Sequence, residues 1–147
     1  MICSGIFAQE CRYEKDYAAI QAATSCYIEF INHMGGEESF DSNFTLICAP
    51  DIKKIVNGKL QLKSREEFIQ QLQSLKQMVG HWVIKPVDVV ISTEDRAVAV
   101  RLVIAIEKTR TQTALVILRY TPELQVQEIN EVFTQCEGIE YEIPKIR

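Results

Sequence analysis

The stretch from His81 to Tyr120, HWVIKPVDVVISTEDRAVAVRLVIAIEKTRTQTALVILRY, decides the fold. Its apolar residues recur with a period of two, the spacing at which successive side chains of an extended chain point to opposite sides. Trp82, Ile84, Pro86, Asp88 and Val90 fall on one face of a first strand, and Val83, Lys85, Val87, Val89 and Ile91 on the other. Thr93-Glu94-Asp95 makes a turn. Val98, Val100, Leu102, Ile104 and Ile106 then alternate with Ala97, Ala99, Arg101, Val103, Ala105 and Glu107. A turn at 108–110 leads into a strand from Thr111 to Tyr120. Three long consecutive strands with short connections form an antiparallel meander. Beyond Thr121-Pro122-Glu123 a last strand runs near Gln125 to Gln135, where Val126 and Ile129 are out of phase, the mark of a bulge.

Upstream of His81 the period changes. From Asp16, the residues Tyr17, Ile20, Thr24, Tyr27, Ile31 and Met34 recur every three to four positions, with Ala19, Ala23, Cys26 and Phe30 widening the stripe. This predicts a long amphipathic helix stopped by Gly35-Gly36. Phe40, Phe44 and Ile47 predict a short second helix that ends at Ala49-Pro50, because the residue before proline disfavours helix. Ile55-Val56 and Leu60-Gln61-Leu62 flank Asn57-Gly58, a dipeptide suited to a type I′ hairpin turn. Ser64-Arg65-Glu66-Glu67 is a capping box for a third helix. Phe68, Leu72, Leu75 and Val79 mark that helix's apolar face, and Gly80 is placed to close it.

Bulk properties bound the function. A chain of 147 residues fits one domain. Its 47% hydrophobic and 24% charged residues are ordinary globular composition. A net charge of −4 with scattered basic residues argues against a nucleic-acid partner, which needs a cationic face. No apolar run reaches the roughly 20 residues of a membrane span, and residues 1–11 lack the basic region of a secretory signal. A start site that truncates a longer leader is the alternative there. Five cysteines, Cys3, Cys11, Cys26, Cys48 and Cys136, stand at no zinc-ligand spacing. Free thiols in a reducing cytoplasm are the simplest reading, with neither metal nor cofactor expected.

The order of helix, short helix, Ala-Pro-Asp turn, Asn-Gly hairpin, capped helix and long-stranded meander resembles the nuclear transport factor 2-like (SnoaL-like) family. The resemblance covers Tyr13 to Gln135. Its carriers are Cys48-Ala49-Pro50-Asp51, Val56-Asn57-Gly58-Lys59, Ser64-Arg65-Glu66-Glu67-Phe68 and Glu128-Ile129-Asn130-Glu131-Val132-Phe133. It implies an α+β fold in which a cone-shaped, curved, mixed or antiparallel sheet wraps around three helices from the N-terminal half. The domain would span residues 13–136, with an N-terminal extension over 1–12 and a tail over 137–147. The family includes isomerases, cyclases, dehydratases, epoxide hydrolases, transport factors and oligomerisation domains. Its ketosteroid isomerase branch uses a tyrosine on the first helix, a base aspartate near the first hairpin and a protonated aspartate on a later strand. Tyr27 matches the first by position. Lys54-Ile55-Val56-Asn57 and Thr113-Ala114-Leu115-Val116 offer neither carboxylate, so isomerisation by that mechanism is not supported.

Five residues are candidates for a ligand site: Tyr27, Trp82, His81, Arg101 and Glu128. Tyr27 could donate a hydrogen bond into the cone, or be a core tyrosine bonded to a carbonyl. His81 opens a strand near the expected rim, where it is an acid or base, or simply a surface histidine. Arg101, among small neighbours, is an anion contact or the partner of Glu107, Glu128 or Glu131 across strands. Arg119 and Asp88 invite the same reading. Glu128 and Glu131 lie on opposite faces of the last strand, so both cannot point inward. The leading expectation is a cone holding a small, largely apolar molecule in a cavity of roughly 300 Å³ beside Tyr27. The alternatives are a protein-interaction or dimerisation module without a ligand, and an isomerase, dehydratase or cyclase using His81 or Glu128. Because both faces of the long strands are apolar and three helices cover one, the other face is expected to pair with a second copy.

Overall fold

In a computed structural model, which describes residues 3–36 and 43–133, the elements follow the expected order. They are α1 (Cys3–Gly35), α2 (Phe44–Ile47), β1 (Cys48–Val56), β2 (Lys59–Leu62), α3 (Arg65–Val79), β3 (Trp82–Ser92), β4 (Ala97–Ile106), β5 (Gln112–Tyr120) and β6 (Val126–Phe133). All six strands belong to one sheet in the order β2-β1-β6-β5-β4-β3. The meander therefore has four strands, one more than expected. The first hairpin joins it through β1, which runs parallel to β6. This curved, unclosed mixed sheet with helices against its inner face is the expected α+β architecture.

Helix α1 begins at Cys3, well before Asp16, and its second half is core. Ile20, Thr24, Tyr27, Phe30, Ile31 and Met34 are buried, whereas every side chain from Gln9 to Ala18 is exposed. Cys26, expected within the stripe, faces solvent. The helix is fixed by its C-terminal end. A Cβ on Gly35 would stand 2.5 Å from Trp82, so only glycine permits this approach to β3. The indole of Trp82 donates to the Ile31 carbonyl at 3.0 Å. The Asn32 amide donates to Ile84 O at 3.0 Å and accepts from Ile84 N at 2.7 Å, so a side chain completes the pairing of the edge strand β3.

Local signals elsewhere behave as their chemistry dictates. Asn57 and Gly58 adopt φ of 49° and 79°, as a type I′ turn requires. The Ser64 hydroxyl accepts from Glu67 N at 3.2 Å, and Gly80, at φ 78°, donates to Lys76 O. The Glu67 carboxylate reaches one residue further back than a capping box predicts, to the amide of Lys63 at 2.9 Å. Phe40 lies outside the described residues. Ala49-Pro50 does not turn: it lies inside β1, in the irregular stretch between the Cys48 and Lys53 pairings with β6, where proline's missing donor leaves no gap in a ladder.

Two bulges set which side chains face the helices. In β3, Pro86 pairs with Leu102 but Asp88 pairs with Arg101, leaving Val87 as an extra residue. Asp88 and Val90 therefore leave the face of Trp82, and Val89 and Ile91 join it. In β6, Tyr120 pairs with Val126 and Arg119 with Glu128, leaving Gln127 over, which is the bulge the phase change announced.

Candidate ligand site in the cone

The inner face of the sheet, α1 and α3 enclose an apolar cavity of about 80 Å³. Phe68, Leu72, Val79, Trp82, Ile84, Leu102 and Val116 supply buried walls, and the half-buried Leu75, Ile104, Ile106 and Phe133 lie around its rim. The volume is well below the roughly 300 Å³ at which sites for drug-sized ligands begin. It suits a molecule of few heavy atoms.

Four polar side chains also reach this cavity: Tyr27 from α1, Lys54 from β1, Gln112 from β5 and Glu131 from β6. Tyr27 is 3% exposed. Burial, reinforced by the nearby Glu131 carboxylate, holds the Tyr27 phenol well above its usual pKa, so it stays a neutral donor. Lys54 follows Ile52 inward by strand alternation and is 4% exposed. Its ammonium donates to Gln71 Oε1 at 2.9 Å, lies 5.5 Å from the Phe68 ring centroid and stands 3.9 Å from Glu131 Oε2.

Of the five sequence candidates, the fold brings two to the cavity, Tyr27 and Trp82. His81 sits outside on the β3 end, its Nδ1 3.1 Å from Glu107 Oε2. The backbone amide of His81 also donates to that carboxylate, and this bond chiefly holds the Glu107 pKa below its usual value. Arg101 lies on the outer face, 2.6 Å from Asp88, a partner supplied by the β3 bulge. Glu128 is on the outer face as well, 3.3 Å from Arg119, and Glu131 takes the inward place. Sequence reasoning left the two glutamates unresolved and missed Lys54. The bulge at Gln127 was the available signal for the glutamates. A lysine alternating with Ile52 was the weaker one for Lys54.

Two further buried groups are chemically quiet. Burial pushes the Cys48 thiol up to about 12 despite the nearby Arg65, and so keeps it protonated. The Tyr120 hydroxyl, also raised to about 12 chiefly by burial, shares a 2.7 Å hydrogen bond with Thr24. Among the described residues no cluster of side chains could hold a metal ion, and no helix is long and apolar enough to cross a membrane.

No protein-family model matches the chain, and no curated protein matches it in sequence. Solved structures do match in shape. A cystatin-like protein of unknown function from Methylobium petroleophilum PM1 superposes with a TM-score of 0.65 at 14% identity, covering 84% of this chain and 82% of that one. An NTF2-like protein of unknown function from Exiguobacterium sp. 255-15 gives 0.65 at 15% identity over 78% of this chain and 99% of that one. The chain has the nuclear transport factor 2-like fold. A third structure of this fold, described as a SnoaL-like polyketide cyclase from Jannaschia sp. CCS1, gives 0.64 at 10% identity over 76% and 84%. At such identities the nuclear transport factor 2-like likeness concerns architecture, and function rests on the site itself.

Proposed function

We propose that this protein binds a small, mostly apolar molecule of few heavy atoms in the cone, through one oxygen that accepts a hydrogen bond from the Tyr27 hydroxyl. The observation that carries this is Tyr27, 3% exposed, whose side chain lines an otherwise largely apolar cavity. A ligand oxygen accepting from this phenol would gain a hydrogen bond worth about 0.5–1.5 kcal/mol. Lys54 and Glu131 beside it favour a neutral ligand over an anion, since an added negative charge would meet a carboxylate already there.

Cyclopentanone and its hydrocarbon counterpart cyclopentane provide the test, read by the indole N–H NMR signal of Trp82, the single tryptophan. The ketone is expected to shift this signal saturably and more strongly than the hydrocarbon. Tyr27→Phe should weaken ketone binding by about three- to tenfold, the worth of one hydrogen bond, without loss of stability. A signal indifferent to the ketone, or a Tyr27→Phe variant that binds as tightly as the parent, would sink the reading.

A second reading, dimerisation through the outer sheet face, is favoured by Val83, Val90, Leu115 and Val132, all exposed there. Light scattering on the eluting peak of a sizing column tests it: a monomer at high concentration removes it, and a dimer abolished by Val90→Lys supports it.

A further inference from the structure

We infer that Lys54 is a reactive amine that captures a short aldehyde as an imine inside the cone. This rests on the reading of the cavity as a site for a small carbonyl compound and names the chemistry of that same site.

A lysine is almost never fully buried unless it is closely paired. Lys54 is buried, yet its pairing is loose. An ammonium has three protons to donate, and among the described residues Gln71 Oε1 is its hydrogen-bond acceptor. The carboxylate of Glu131 stands at 3.9 Å, well beyond the roughly 2.7–2.9 Å of a charge-assisted hydrogen bond. The geometry leaves a carboxylate one side-chain adjustment from hydrogen-bond distance of an amine that lines the same apolar cavity as Tyr27. Amine, proton acceptor and neutral oxygen donor are the three parts that imine formation needs.

The step balances without any oxidant or reductant. The Lys54 ammonium releases a proton to water, with Glu131, brought to hydrogen-bond distance, as the relay. The free amine nitrogen adds to the aldehyde carbon, a C–N bond forms, and the carbonyl π pair moves to oxygen, where the Tyr27 hydroxyl stabilises the growing charge. The nitrogen then gives one proton to that oxygen, forming the carbinolamine, whose hydroxyl takes up a second proton and departs as water while the nitrogen sheds its last N–H, leaving a C=N bond. Amine and aldehyde have become imine and water. The 80 Å³ cavity restricts the partner to a short, apolar aldehyde.

The experiment treats the full chain with limiting butanal and sodium cyanoborohydride, which reduces an imine to a stable secondary amine, and maps the adducts by peptide mass spectrometry. Lys54 is expected to carry the adduct at least about tenfold ahead of the exposed Lys53 and Lys59 at early times, the advantage of a positioned nucleophile. Excess cyclopentanone should suppress labelling of Lys54 and spare the exposed lysines, and unfolding in urea should erase the preference. Glu131→Gln should slow labelling at Lys54 alone. The competition and urea arms use the unaltered protein, so they decide the matter even if that variant does not fold. Labelling of Lys54 no faster than Lys53 overturns the proposal. If cyclopentanone still shifts the Trp82 signal in that case, only the imine chemistry falls; if it does not, the binding reading falls as well.

Discussion

On the inner face of the sheet Lys54 and Glu131 stand 3.9 Å apart with side chains 5% and 14% exposed, whereas on the outer face Arg101 and Asp88 close to 2.6 Å at 52% and 65% exposed. The tighter pair is the less consequential one. In water its charges are screened and its two long side chains must be ordered, so such pairs contribute about 0–1 kcal/mol. The looser pair is largely withdrawn from solvent, and removing one member leaves the other with little water to answer its charge. Distance alone misjudges an ion pair, and burial decides what breaking it costs. A charge on the outer face is answered by solvent, and one on the inner face chiefly by its protein neighbours.

The sharpest way to break this comparison is to truncate each pair. Lys54→Met should destabilise the fold by about 3–5 kcal/mol in urea denaturation by leaving Glu131 unpaired, and Lys54→Met with Glu131→Leu should recover most of the loss. Equal costs for the single and double variants would show that the two charges do not interact. The next effect in size concerns the frame that holds the cavity. Asn32→Ala removes both bonds to Ile84 and should cost about 2–3 kcal/mol, read as a lower denaturation midpoint with faster amide exchange at Ile84.

A third test uses pH. The neutral forms of Tyr27 and Tyr120 are favoured by the fold, so the unfolded chain sheds their protons first as pH rises past about 10. Stability from these groups is full below pH 10 and is lost as pH climbs through the raised folded values, near 12 for Tyr120. Tyrosinate absorbance should therefore show Tyr27 and Tyr120 resisting ionisation until the far-ultraviolet dichroism collapses. The smallest effect belongs to the outer face. Arg101→Ala and Arg119→Ala should each change stability by less than about 1 kcal/mol, and the change should shrink further in high salt.

The parts of the molecule legible in the sequence are those whose cause is local. Asn57-Gly58 turns because left-handed backbone is tolerated there, Ser64 caps because its hydroxyl reaches an amide three residues on, and Gly80 ends α3 for want of a Cβ. Tyr27 and Trp82 could be placed inside because their neighbours repeat at helical or strand spacing. Asp88 and Glu128 could not, since one unpaired residue in β3 and another in β6 shift the register and turn every later side chain over, and with Asp88 the partner of Arg101 was hidden too.

By itself, then, the sequence determined an α+β chain of helices followed by a meander, the positions of its turns and caps, and a tyrosine directed at the sheet. Only the tertiary structure decided that β1 lies parallel to β6, that Lys54 and Glu131 meet beside Tyr27, and that the space between them is about 80 Å³. Turns and caps depend on atoms a few residues apart. A cavity depends on strands that are distant in sequence and on bulges whose effect is felt only once those strands have paired.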